Sequence, residues 1–513
     1  MSRSVLLELV AASSVLLFWL PAATHAAPRD TVVETSNGAI EGVSENGIIS
    51  FKGIAYAKPP VGDLRWREPQ PVTKWSGTRK ANHYGNACMQ NPDQSAENGG
   101  DPGPLSEDCL YLNVWTPTLS SKAKLPVIVW IHGGGYVLGA GSLPVYDGTA
   151  MGRKGAVSVN LNYRLGPLGF FAHPALDKGA SGGPYNFGLY DQVAALKWVK
   201  ENIIKFGGDP DCVTIMGESA GGKSVLWHFA SPLSRGLFQR GIAESVYMLP
   251  DVKLEKARTV AAKVASAVGL NGAEASLDDL RKVPPDRFFK ITDKEANLGP
   301  VGIVGDAMLP RSIADTFESG AEARVPLIIG NTSDDASVVA SFGLSPDEIM
   351  KKLGAAGFAL KLLYPGVPAD KLPRQALRDI LFTLNTRWIA DRRARHSPTW
   401  RFYFDYAAAK DRPNWPNGVP HGGEVVYFLD TLDKSYAKRD HAYARKVSGY
   451  VFAFADTGKP SFDGAAEWQD HKLLRDRTLV FGEDDIEQRR NFMKARLDVL
   501  KGVTKIADTL FGK

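Results

Sequence analysis

Short apolar runs punctuate the chain at residues 125–131, 156–161, 213–216 and 325–329, with 241–245 a weaker fifth. Each suits a strand buried within a sheet. Between the second and third runs, Leu189, Val193, Leu196, Val199 and Ile203 recur at steps of three and four within residues 187–206, marking one apolar face of a helix. Strand, helix, strand at this spacing predicts a right-handed crossover and a mainly parallel sheet, which needs cover on both faces. Helical patterns at 255–268, 346–353, 381–395 and 442–454 can supply that cover. The pattern therefore predicts an α/β fold: a central, mostly parallel twisted sheet with helices on both faces. With no internal repeat and no long low-complexity linker, residues 27–513 read as one domain.

The first residues break this pattern. Met1 to Arg3 is a small positive start, residues 5–20 are mostly apolar, and Thr24-His25-Ala26 sets small residues at the positions a signal peptidase reads. Residues 1–26 thus read as a signal peptide, and the mature chain is expected in the periplasm or secreted. Glu8 and Pro21 make the apolar stretch a poor membrane span, so no stable span is expected after cleavage.

Over 513 residues the formal net charge is only +5, and no lysine and arginine run is interleaved with aromatics, so nucleic acid is not an expected partner. Three cysteines allow one pair and one free thiol in an exported protein. Cys88 and Cys109 enclose a loop rich in Gly, Pro, Asn and Asp that a disulfide would restrain, whereas Cys212, in a predicted strand, reads as a small buried apolar side chain. No CxxC spacing points to a metal.

Two glycine-rich segments carry the candidate chemistry. In "MGESAGG", Gly217 and Gly221 bracket Ser219 where an apolar strand turns into a helical pattern, a turn tight enough to lift the serine hydroxyl clear of the sheet. In "WIHGGGY", three glycines follow another strand, and their N–H groups can converge on an oxyanion; Gly134, Gly135 and Ala220 are the expected donors. A serine needs a base, and the base needs an orienting acid. His25 lies in the export segment and His132 within the glycine motif. Of the later histidines, His396 and His441 read as solvated surface and His471 as exposed, while His421 in "VPHGGE" sits on a loop suited to a sheet edge. For the acid, either Asp334 or Asp335 in "NTSDDAS" follows a strand end. Tyr136, Phe170, Phe171, Trp227 and Tyr427 are candidates for a substrate pocket, although aromatics near a sheet commonly belong to the core.

With "FKGIAYAKPPVGDLRW", "SEDCLYLNVWTP", "NYRLGPLGF" and "FGLYDQVAALKWVKENIIKFGGDP", these segments resemble, in this order, the type-B carboxylesterase family, which includes carboxylesterases, para-nitrobenzyl esterases and cholinesterases. The resemblance runs through nearly all of the mature sequence. It implies an α/β-hydrolase fold and a serine carboxylesterase, exported on the reading of residues 1–26 given above. Such an enzyme splits small-molecule esters into acid and alcohol through an acyl-enzyme on Ser219, without cofactor or metal. It carries over Ser219 as nucleophile, His421 as base and Asp335 as acid. Asp335 stands where most relatives have glutamate and is followed by Ala336, so a carboxylate one methylene shorter must reach the imidazole; Asp334 is the alternative. The resemblance also implies a Cys88 to Cys109 disulfide, ion pairs joining Arg65 to Glu107 and Arg164 to Asp191, and supporting roles for Glu218 and Ser245. Lys223 departs from the small residue common just beyond the serine. A neutral histidine base implies activity falling below roughly pH 6 to 7. The rival readings are a lipase-like hydrolase of long-chain esters and a non-catalytic cholinesterase-like binding protein; the presence of Ser219, His421 and the glycine loop favours an enzyme. Nothing in the pattern predicts an oligomeric state.

Overall fold

The apolar runs become the middle of an eleven-stranded sheet in the computed structural model of the protein. The structure describes residues 31–94, 100–177, 183–247, 249–299, 301–342 and 360–501, with a few single positions between 343 and 359. The strands are β1 (Val43–Glu45), β2 (Ile48–Ala55), β3 (Tyr111–Thr116), β4 (Leu125–Ile131), β5 (Val157–Leu161), β6 (Gly208–Glu218), β7 (Arg240–Glu244), β8 (Leu327–Thr332), β9 (Thr399–Phe404), β10 (Arg477–Phe481) and β11 (Ile486–Arg490). Their spatial order is β11-β10-β9-β8-β7-β6-β4-β5-β3-β2-β1. Pairing is parallel from β10 through β5 and antiparallel at the two ends.

Strand β4 shows why the central runs are continuous in apolar residues. Successive side chains point to opposite faces. Val127, Val129 and Ile131 face a core shared with Leu189, Val193 and Leu196 of helix α1 (Phe187–Asn202) and with Val225 and Phe229 of α2 (Ala220–Ala230). Ile128 and Trp130 face a second core with Val447, Val451 and Phe454 of a long later helix, Lys438–Thr457. Both faces are dry, so neither can carry a polar alternate.

The outer strands were not marked by apolar runs, because polar residues interrupt them and are satisfied by partners remote in sequence. Asn113 in β3 donates to Asn160 Oδ1 and accepts from the Gly53 N–H, each at 2.8 Å, and Arg401 in β9 meets Asp476 at 2.6 Å. The expected helices at 255–268, 381–395 and 442–454 appear as α3 (Leu254–Ala267), α4 (Leu384–Arg393, preceded by a π-helical turn at Asp379–Thr383) and α5 (Lys438–Thr457). The pattern at 346–353 falls largely outside the described residues, as does the 1–26 segment wholly.

Cys88 and Cys109 are disulfide-bonded. The Arg65 guanidinium meets Glu107 through two hydrogen bonds of 2.6 Å, and Arg164 meets Asp191 through bonds of 2.8 and 2.7 Å. Cys212 is half-buried rather than a buried apolar group: its sulfur lies 3.1 Å from an Arg240 guanidinium nitrogen and 3.3 Å from the Ala455 carbonyl. Among the described residues, no helix is long and apolar enough to cross a membrane.

Candidate active site

Ser219 occupies the single residue between β6 and α2, with φ 57° and ψ −121°. A non-glycine side chain is held in such a region only where its surroundings over-determine it. Here the Ser219 N–H donates to Glu244 O at 3.0 Å and its carbonyl accepts from the Lys223 N–H at 2.8 Å. The flanking glycines permit the turn sterically: a Cβ on Gly217 would stand 2.6 Å from the backbone of Gly221 and of Ile131, and one on Gly221 would stand 2.0 Å from Ile131 O.

The glycine loop leaves β4 and lies directly against this turn. A Cβ on Gly133 would come within 2.9 Å of Glu218 O and 3.2 Å of Ser219 Cβ. Gly134 and Gly135 then take φ values of 97° and 60°, turning their peptide planes. Among the described residues, the N–H groups of Gly134, Gly135 and Ala220 find no acceptor in the protein. For Ala220 the cause is its place at the start of α2, where helix N–H groups have no partner one turn back.

Asp335 and His421 approach from beyond the end of β8, two strands over from β6. Asp335 lies just past β8, fully buried, and its Oδ2 accepts the Thr332 N–H at 2.9 Å. Its Oδ1 accepts from His421 Nδ1 at 2.8 Å. The shorter carboxylate therefore reaches. Asp334 is turned away into a two-bond ion pair with Arg374, at 2.6 and 2.7 Å. The two loops are tied by backbone: Asp334 N–H to Val419 O and Val419 N–H to Ser333 Oγ, both at 2.8 Å, and the His421 N–H to Ser337 Oγ at 2.8 Å.

The far ring nitrogen of His421 faces the elbow, but its nearest charged neighbour is Glu218, with Oε1 at 3.1 Å; Ser219 makes no hydrogen bond to it in this state. Burial pushes the imidazole's pKa down, yet the charge of Glu218, then the hydrogen bond and charge of Asp335, and then Glu424 outweigh it and raise it to about 9. That corrects the expectation of an ordinary histidine titrating below neutrality. Glu218 itself is pushed up to about 7, by burial first and by Asp335, while His421 opposes. Glu244 and Glu424, buried beside it, are held well above the usual carboxylate range, chiefly by burial. Ser245 supports this cluster by donating to Glu424 Oε1 at 2.6 Å. Glu244 carries no local signal in the sequence, whereas Glu424 lies only three residues past His421 in "HGGE".

The other histidines sit elsewhere. His132 is buried, stacked on Tyr163 at 4.4 Å, and burial lowers its pKa to about 4. His471 is not exposed as expected but buried, 2.8 Å from Asp391, and His396 is half-buried beside Glu322 rather than solvated; His441 is half-buried on α5. Among the described residues, no group of His, Cys, Asp and Glu could hold a metal ion.

A cavity of about 430 Å³ opens beside the glycine loop, lined by Tyr136, Val137, Phe170, Phe171, Val260 and Phe289 among others. It begins at the residue after Gly135 and does not reach Ser219 itself. Trp227 backs its wall, stacked on Tyr136 at 5.0 Å, whereas Tyr427 belongs to the opposite core with Phe404. A carboxylate on one imidazole nitrogen frees the other to accept a proton, and convergent N–H groups hold a developing oxyanion.

Residues 29–357 and 370–499 match the carboxylesterase family. The chain is 36% identical over 484 residues to the para-nitrobenzyl esterase of Bacillus subtilis (strain 168), covering 89% of this chain and 96% of that one. It is 33% identical over 496 residues to the fumonisin B1 esterase of Sphingopyxis macrogoltabida, covering 90% and 88%. Among solved structures, a PNB esterase superposes with a TM-score of 0.77 at 32% identity, covering 91% of this chain and 99% of that one.

Proposed function

Because the chain belongs to the carboxylesterase family and is a carboxylic ester hydrolase of α/β-hydrolase fold, we propose that it cleaves small-molecule esters through an acyl-enzyme on Ser219. Neutral His421 takes the Ser219 hydroxyl proton on Nε2 while Asp335 holds the Nδ1–H. The serine oxygen bonds to the ester carbonyl carbon, and the N–H groups of Gly134, Gly135 and Ala220 receive the oxyanion. Collapse of this intermediate breaks the bond to the alcohol oxygen, which leaves with the proton from Nε2. Water, deprotonated by the same nitrogen, then releases the acid and restores the serine. The observation that carries this reading is the 2.8 Å bond from His421 to Asp335 beside a strained Ser219 and three N–H groups without acceptors.

The apolar lining and 430 Å³ volume of the neighbouring cavity favour esters with an aromatic or medium-length apolar group, of the para-nitrobenzyl kind named for the Bacillus relative. The mature enzyme, residues 27–513, acts outside the cytoplasm, which the Cys88 to Cys109 disulfide and the apolar start of the chain support. A panel of para-nitrophenyl esters of increasing acyl length, with bulky aromatic esters included, tests the substrate reading. Ser219→Ala tests the chemistry: the wild type should release a burst of nitrophenol equal to its active sites and the variant none. A burst retained by folded Ser219→Ala removes the assignment.

A further inference from the structure

Lys223 lies one turn beyond Ser219 on α2, and the mechanism above makes no use of it. Its side chain is buried, and its ammonium is aimed inward. Nζ donates to Leu249 O at 2.8 Å and stands 3.4 Å from Asp251 Oδ1. It also lies 5.1 Å from the ring centre of Tyr247 and 5.7 Å from that of Trp227. Burial lowers its pKa and Asp251 opposes the shift. The same Asp251 oxygen accepts the Trp227 indole N–H at 3.2 Å, while its other oxygen accepts the Ile313 N–H at 2.8 Å. Ammonium, carboxylate and indole therefore hold one another in a buried pocket, where such bonds are directional and costly to break.

The indole passes this constraint on. Its face stacks on Tyr136, with ring centres 5.0 Å apart and planes inclined by 20°. Tyr136 follows Gly135 directly, at φ 62°, and its hydroxyl donates to the Ala220 carbonyl at 2.5 Å. One side chain thus bridges the two backbone stretches that bear the three unpaired N–H groups.

We propose that Lys223 is a positioning residue for the oxyanion site, acting with Asp251 through the Trp227 and Tyr136 stack to fix Gly134, Gly135 and Ala220 relative to one another. The inference rests on the acyl-enzyme reading given above. Donors of this kind stabilise a transition state only where they meet the oxyanion at hydrogen-bond distance, so a small displacement lowers turnover more than substrate binding.

The test is made on the full chain, with rates expressed per titrated active site. Lys223→Met should lower kcat about tenfold with KM within about twofold, a fraction of the loss for deleting a donor outright. Affinity for an aryl trifluoromethyl ketone, whose adduct places an oxyanion at the same spot, should fall by the same factor. Lys223→Arg, which keeps the cation, should restore most of both. A purely structural role would reduce the yield of active sites and the melting temperature but leave kcat per site unchanged. Folded Lys223→Met with kcat and ketone affinity at wild-type level overturns the proposal. Where Lys223→Met does not fold, Tyr136→Phe decides: it keeps the stack and deletes the bond to Ala220. Parallel losses in kcat and ketone affinity support the bridge, and wild-type values overturn it. Ser219→Ala separates the two claims. If it abolishes the burst while these variants are unimpaired, only the positioning role fails; if it retains the burst, the acyl-enzyme reading fails and this inference with it.

Discussion

Replacing Glu218 by Gln should move the pH dependence of hydrolysis, not merely its height. Glu218 Oε1 lies 3.1 Å from the imidazole nitrogen that, in the proposed mechanism, must be neutral to accept the serine proton. Two opposite charges about 4 Å apart at an effective dielectric of about 20 interact by about 4 kcal/mol, or about three pKa units. The net rise in His421, from 6.5 to about 9, is smaller because burial acts against it. Glu218 is the largest of the contributions raising it, so its loss should lower the histidine pKa by about two units. At about pH 7 the neutral fraction of the base would then grow from about one per cent to about one half. The sign follows from the proposed mechanism: wild-type activity should rise as His421 loses its proton, and removing a neighbouring anion should let that happen at lower pH. The assay is kcat/KM from about pH 5 to about pH 10 on a hydrolytically stable alkyl ester, with acid release followed chromatographically. A rising limb at the same pH in wild type and Glu218→Gln, or one displaced to higher pH in the variant, would refute the reasoning.

Three further outcomes follow from the geometry. Asp335→Asn should cost about three to four orders of magnitude in kcat through loss of the correct tautomer, whereas Asp334→Asn should release Arg374 and leave kcat near wild type; steady-state kinetics with circular dichroism on both variants checks the division, and equal losses would contradict it. Cys88→Ser paired with Cys109→Ser opens a loop closed at a separation of 21 residues and should destabilise the protein by about 3 kcal/mol, read as a lower urea midpoint; an unchanged midpoint would show that the loop is held by other contacts. Glu244 is fully buried, and neither carboxylate oxygen has a hydrogen-bond partner among the described residues. Its folded pKa is raised, so its stabilising share is present below the unfolded value of about 4.3 and is lost as pH climbs toward the folded one. Glu244→Gln should therefore gain on wild type in melting temperature between about pH 5 and about pH 8, and a constant difference would count against a buried, protonated Glu244.

Much of the candidate site's backbone geometry is legible in the sequence because crowding there leaves few residue choices. Gly217 and Gly221 admit no Cβ, so the strand-to-helix turn around Ser219 announces itself, and three glycines after β4 mark the facing loop. Local spacing leaves Asp334 and Asp335 open, and only the family resemblance favours Asp335, since the choice depends on Arg374, 40 residues away, drawing one carboxylate aside. His471 looks exposed in the sequence for the same reason: its partner Asp391 lies 80 residues upstream and makes a polar stretch part of the interior. The outer strands escaped detection because Asn113 and Arg401 look like surface residues until their partners are known. Contact between Glu218 and the imidazole has no local signature, because a loop more than two hundred residues later supplies the ring.

The bonds linking Ser333 and Asp334 to Val419, and Ser337 to His421, have a bearing on how members of this family exchange parts. A Cβ on Gly418 would strike Ser333 Oγ at 2.5 Å, so the two loops are fitted to each other at atomic contact. Residues 333–337 and 418–423 therefore make one transplantable cassette despite the long intervening chain. A chimera that imports either half alone inherits a mismatched seam, and recombination between diverged parents should be tolerated only when its crossovers keep both halves from the same parent.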